Sequence, residues 1–236
     1  MAKGPRGARE GREVKVTRNL IARVLLICEG KKTEPNYLND LVNELRVPTV
    51  GFEVVGEGSD PSVVVERAIV RAESPDGDYD FIFCVFDRDK HEKYAEACNQ
   101  CRNRSVKRKG VEQTKLIAIT TNPSFEYWLL LHLKPTTKSY RQAGRKSSGD
   151  QVLAEFSSLY KKHTGLNYKK GSAGVYKALR NELNSAIKFS EGANREGLGN
   201  PHSLVGAMVT VLRDISEGNK PDIKKIEALK RLKEVA

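Results

Sequence analysis

The strongest strand pattern in the 236-residue chain is Tyr79 to Phe86 (YDFIFCVF), and Asp87-Arg88-Asp89 follows it at once. The run is bounded upstream by a turn signal, Asp76-Gly77-Asp78. A continuous apolar run of this length, rather than an alternating one, reads as a strand buried on both faces. Such strands occur in parallel sheets covered by helices on each side. The carboxylates behind the strand then stand at its carboxyl end, where ligands bind in open α/β sheets.

The flanking sequence repeats the theme. Val24-Leu25-Leu26-Ile27-Cys28 is a shorter buried run that ends at Glu29-Gly30. Thr33-Glu34-Pro35 reads as a helix start, with Thr33 as cap and Pro35 in the first turn. Tyr37, Leu38, Leu41, Val42 and Leu45 continue it at helical spacing until Pro48. A second strand is expected over 52–55. Asp60-Pro61 then caps a helix carrying Val63, Val64, Arg67, Ala68 and Val70. Further helices are expected from His91 to about Ser105 and from Ser124 to Leu133, with a strand at Lys115 to Ile119 between them. This alternation predicts an α/β domain over residues 20–133, built on a mostly parallel sheet flanked by helices. Residues 1–19 read as a basic arm. Residues 134–236 read as a basic loop and a C-terminal helical region, with helices near 150–162, 173–189, 202–216 and 222–235 and no strand.

Charge divides along the same lines. The net charge is +11, yet residues 24–99 carry sixteen acidic and eight basic side chains. Residues 134–147 hold five basic and no acidic side chains, and residues 161–180 hold six and none. Ordinary helix surfaces mix signs, so these acid-free stretches point to a polyanionic partner. Lys138, Arg141, Arg145, Lys146, Lys161, Lys162, Lys169 and Lys170 are the expected nucleic-acid contacts. An acidic focus rimmed by positive charge suits a metal site that handles a phosphodiester.

Three acidic positions fall at strand ends: Glu29, the pair Asp87 and Asp89, and Glu126 at the start of the helix after the fourth strand. Asp87 and Asp89 share one side if the chain stays extended there, and two such carboxylates suit a hard cation such as Mg²⁺. Singly, each has an ordinary reading as a helix cap or a dipole partner. Lys31, at the mouth of the first strand, is a candidate for stabilising developing charge. His91 and His132 read as ordinary helix residues or supports of the site. Phe125, Tyr127 and Trp128 are expected to pack a helix onto the sheet. There is no phosphate-loop motif, and Cys98-x2-Cys101 is a single pair that lacks the further ligands zinc needs.

The segments Cys28-Glu29-Gly30-Lys31-Lys32-Thr33-Glu34-Pro35-Asn36-Tyr37, Val85-Phe86-Asp87-Arg88-Asp89 and Asn122-Pro123-Ser124-Phe125-Glu126-Tyr127-Trp128 resemble the RloB family. Asn200-Pro201-His202-Ser203 resembles that family's end motif more loosely. The resemblance implies a Toprim-like fold related to the OLD-family and AriB Toprim nucleases. It implies Mg²⁺- or Mn²⁺-dependent phosphodiester chemistry in anti-phage defence, with an ABC-type ATPase as partner. By position it makes Asp87 and Asp89 metal ligands, Glu29 a metal ligand or general acid/base, and Glu126 a further catalytic acid. The interval from Glu29 to Glu34 is one residue longer than in OLD-type Toprims, so Glu34 is not assigned to the site.

The expected function is a nuclease acting on RNA, such as tRNA, or on DNA. The alternative is a nucleic-acid-binding or interaction module whose acidic site is vestigial or regulatory. A homo-oligomer is compatible with either. No apolar run reaches the length of a membrane span, and no apolar stretch follows the basic N-terminus, so a cytoplasmic protein without membrane attachment is expected.

Overall fold

The computed structural model describes residues 22–47, 50–54, 60–88, 92–108, 111–195, 197–224 and 226–227. The elements run β1 (Val24–Cys28), α1 (Thr33–Leu45), β2 (Val50–Val54), α2 (Pro61–Glu73), β3 (Phe81–Asp87), α3 (Tyr94–Asn103), β4 (Ser105–Arg108), β5 (Val111–Asn122) and α4 (Phe125–Leu130). They continue with α5 (Ser148–Thr164), α6 (Val175–Leu179), a 3₁₀ turn, α7 (Leu183–Ala193), β6 (His202–Ser203) and α8 (Val205–Ser216). The fold is α/β, with a C-terminal helical region.

The sheet runs in the order β2-β1-β3-β5-β4. β2, β1, β3 and β5 are parallel to their neighbours, while β4 is antiparallel to β5. The register aligns the carboxyl ends of the central strands, with Cys28 opposite Val85 and Val85 opposite Ile119. Side chains alternate between faces with period two. Leu26, Cys28, Phe83, Val85, Ile117 and Ile119 face α1 and the C-terminal helices. Leu25, Ile27, Ile82, Cys84, Phe86, Leu116 and Ala118 face α2 and α3. Burial on both faces is why β1 and β3 read as unbroken apolar runs.

Several local expectations hold. Asp60 caps α2 by accepting from Ser62 N–H, with Pro61 in the first turn. Phe125, Tyr127 and Trp128 are all buried in the core.

Other details differ from the sequence reading. Lys32, not Thr33, is the cap residue of α1, because the Thr33 hydroxyl is turned to another chain segment. The helix expected from Ser124 to Leu133 ends at Leu130, and a turn follows. The helix expected over 173–189 is two helices joined by the 3₁₀ turn Arg180–Glu182.

Strand pairing is also richer than expected. β4 adds an antiparallel edge to the sheet. The C-terminal region does contain a strand, the two-residue β6, which pairs with the end of β5. Tertiary pairing, not local propensity, makes these short strands. No helix among the described residues is long and apolar enough to cross a membrane. The arm 1–19, the part of the expected 222–235 helix beyond residue 227, Asp89 and His91 lie outside the described residues.

Candidate active site

Four carboxylates converge at the carboxyl ends of β1, β3 and β5. Glu29 is the first residue past β1, and its N–H continues the ladder to Val85 O at 3.0 Å. Asp87 is the last residue of β3, and its N–H points to Oε2 of Glu29 at 3.4 Å. Glu126 lies in the first turn of α4 and is only 2% exposed. Ser124 Oγ donates to its Oε2 at 2.8 Å, and the Tyr168 hydroxyl donates to its Oε1 at 3.4 Å. The fourth is Glu34, in the first turn of α1 and also buried.

Glu34 is the residue that sequence reasoning missed. In sequence it looks like a dipole partner at a helix start. In the fold, that first turn leans back over the end of β1. The usable signal was Gly30: a Cβ there would lie 2.2 Å from Oε2 of Glu34. A side chain at this position would have to push the Glu34 carboxylate aside.

The electrostatics reflect this crowding. Burial pushes the Asp87 carboxyl well above the usual carboxylate range, and Glu34, Glu126 and Glu29 add to the push. The Phe125 N–H at the start of α4 opposes it. Burial raises Glu34 to about 7, opposed by its own backbone N–H and reinforced by Glu126. Lys170 lowers it and Glu29 raises it, each by less. Acids with raised pKa values, clustered at strand ends, mark a functional site.

A segment of the C-terminal region closes over the cluster. Between α5 and α6, Tyr168 reaches Glu126, and the Lys170 ammonium stands 3.9 Å from Oε1 of Glu126. Gly171 N–H donates to Thr33 Oγ1, and Asn36 Nδ2 donates to Gly171 O, each at 3.0 Å. Lys170, one of the expected nucleic-acid contacts, stands beside the carboxylates.

The other basic candidates are exposed. Arg141, Arg145 and Lys146 lie ahead of α5, and Lys161 and Lys162 on its last turn. Lys169 is exposed beside Lys170. Lys138 lies 3.8 Å from Glu155 and over the Tyr140 ring. Lys31 is exposed in the turn after β1.

His132 is buried in the core. Its ring meets the Tyr37 hydroxyl at 2.9 Å and Trp128 O at 3.1 Å, and burial lowers its pKa to about 4. It is part of the core and takes no place among the acids.

A family model described as RloB-like protein matches residues 24–212. The chain belongs to the RloB-like family. The RloB-like match runs from β1 into α8, so it includes all four carboxylates and Lys170. No curated protein and no solved structure matches the chain.

The divalent cation implied by the resemblance can be tested against this RloB-like site. The donors are carboxylate oxygens, the type that hard cations take, and they are crowded enough to favour one. Among the described residues, no group of three or more His, Cys, Asp and Glu side chains is placed to hold an ion. A Mg²⁺ ion would therefore take one or two of the described carboxylates and keep waters and substrate phosphates for the rest. The donor set fits the ion in kind. Cys98 and Cys101 are free thiols on α3 and gain no further ligand among the described residues.

Proposed function

We propose that this RloB-like chain is a Mg²⁺- or Mn²⁺-dependent nuclease of Toprim type, cutting RNA or DNA as an anti-phage defence effector. The observation that carries the reading is the four-carboxylate cluster at the aligned strand ends, with Lys170 beside it. Glu29 and Asp87 supply oxygen ligands, and Asp89, outside the described residues, is the third. A divalent ion there would lower the pKa of a bound water and neutralise phosphate charge.

The chain's own residues account for the rest of the chemistry. Water adds to phosphorus, a phosphorus–oxygen bond to the sugar breaks, and the leaving sugar oxygen takes a proton from solvent. The proton lost by water needs an acceptor that titrates near neutrality, and Glu34 is such a carboxylate. Glu126 is held by Ser124 and Tyr168, so it fixes α4 and keeps the local field negative. Arg141, Arg145, Lys146, Lys161, Lys162 and Lys169 hold phosphates on either side of the cut. With no phosphate-loop motif of its own, the chain takes any ATP-driven step from a partner, an ABC-type ATPase. A homo-oligomer is compatible with this arrangement.

The test is cleavage of labelled RNA and DNA by purified protein in Mg²⁺ or Mn²⁺, with EDTA and Glu29→Gln as controls. Cleavage that survives either control refutes the proposal.

A further inference from the structure

We propose that Lys170 is the acidic site's own counter-cation, and that a divalent cation takes its place and releases the segment that carries it. This inference rests on the cation-binding part of the reading above. The segment between α5 and α6 runs from Gly165 to Gly174. Gly165, Gly171 and Gly174 all have positive φ, at 75°, 82° and 75°. Those conformations favour glycine and give the segment its sharp turns.

Its two halves are held differently. The first half has an apolar anchor: the Tyr168 ring packs on Phe156 at 4.7 Å and on Tyr160 at 5.8 Å, edge to face. The second half is held by polar contacts, among them Gly171 to Thr33 and Asn36 and Lys170 to Glu126, with Gly171 close against the Lys32 stem. Motion is therefore easiest between Tyr168 and Gly174, and it moves Lys170 without unpacking the aromatic cluster.

The charges give that motion a cause. Lys170 is the cation that acts on Glu34, and it also approaches Glu126. Its side chain is 66% exposed, so the ion pair is weak and easily exchanged for solvent. Glu126 is 2% exposed and cannot follow it. An ion of charge +2 held by Glu29 and Asp87 would repel Lys170 and compete for the same negative field. Binding the ion and holding Lys170 in place thus oppose each other. A released Lys170, next to the exposed Lys169, then becomes available to an incoming phosphate.

The test uses Mn²⁺ binding, read by electron paramagnetic resonance, together with hydrogen exchange of residues 165–174. The full-length protein is compared with Lys170→Gln, Lys170→Arg and Asp87→Asn. Lys170→Gln is expected to bind Mn²⁺ about three- to tenfold more tightly, as follows from removing a like charge near the ion. Lys170→Arg should match the wild type. Mn²⁺ should speed exchange at the Gly171 amide in the wild type. Suppose Mn²⁺ binds in an Asp87-dependent way, but Lys170→Gln binds it equally or less well, or exchange at Gly171 slows. The counter-cation role is then wrong while the metal site stands. If neither the wild type nor Lys170→Gln binds Mn²⁺, both readings fall.

Discussion

Gly30 makes room for the carboxylate of Glu34: a Cβ at Gly30 would sit 2.2 Å from Oε2 and 2.8 Å from Cδ. The two residues lie on opposite sides of the β1–α1 turn. Gly30→Ala should therefore displace Glu34, with a stability loss of about 1–2 kcal/mol from overpacking. If the clash is with Glu34, adding Glu34→Ala should cost less in Gly30→Ala than in the wild type. The coupling energy should be about 1 kcal/mol. Urea denaturation of the four proteins measures it, and strict additivity would contradict the contact.

A second prediction concerns pH. Glu34 is raised from 4.5 to about 7, so the folded chain binds this proton more tightly than the unfolded chain does. Its contribution is complete below about pH 4.5 and is lost as pH rises to 7. His132 and His202 act with the opposite sign. Each is lowered from 6.5 to about 4, so their contribution is complete above about 6.5 and is lost toward pH 4. Asp87, also raised by burial, acts in the same sense as Glu34. Two carboxyls thus oppose two histidines between about pH 4.5 and 6.5, and wild-type stability should be nearly flat there. Above that range it should fall as pH rises through 7, with up to about 1 kcal/mol from the remaining titration of Glu34. Glu34→Gln should remove that share of the fall in urea denaturation series. An equal fall in the variant would place the titration elsewhere.

The basic surface gives a third prediction. Arg141, Arg145 and Lys146 cluster ahead of α5, on the solvent side of the chain. Replacing all three by Gln should weaken RNA and DNA binding by similar factors. It should reduce the slope of log affinity against log salt by roughly 2–3, near one for each phosphate that is no longer neutralised. Lys138→Gln should matter less, since Glu155 already engages that ammonium. Anisotropy titrations at several salt concentrations would show both effects. An unchanged salt slope in the triple variant would remove this surface from the nucleic-acid path.

The sequence exposed most of what burial dictates. β1 and β3 were legible because they are apolar on both faces, and α2 because Asp60 and Pro61 mark its start. Glu29, Asp87 and Glu126 were legible because each directly follows a strand or opens the next helix. β6 was not, since two residues carry no pattern and their pairing with β5 depends on chain far away in sequence. Glu34 and Lys170 were hidden for a related reason. A first-turn glutamate looks the same whether it faces solvent or a carboxylate cluster. Lys170 looks like its neighbour Lys169 until Gly171 docks on Thr33 and Asn36, 138 and 135 residues away.

The most direct test of the central claim is single-turnover cleavage of labelled RNA and DNA by wild-type and Asp87→Asn protein. Matched thermal melts would confirm that both are folded. Asp87→Asn keeps the size of the side chain and removes one charge from the cluster. The account predicts Mg²⁺- or Mn²⁺-dependent cleavage by the wild type and a loss of at least about a hundredfold in the variant. Equal cleavage by both proteins, or tight salt-sensitive binding with no cleavage and no response to metal, would contradict it.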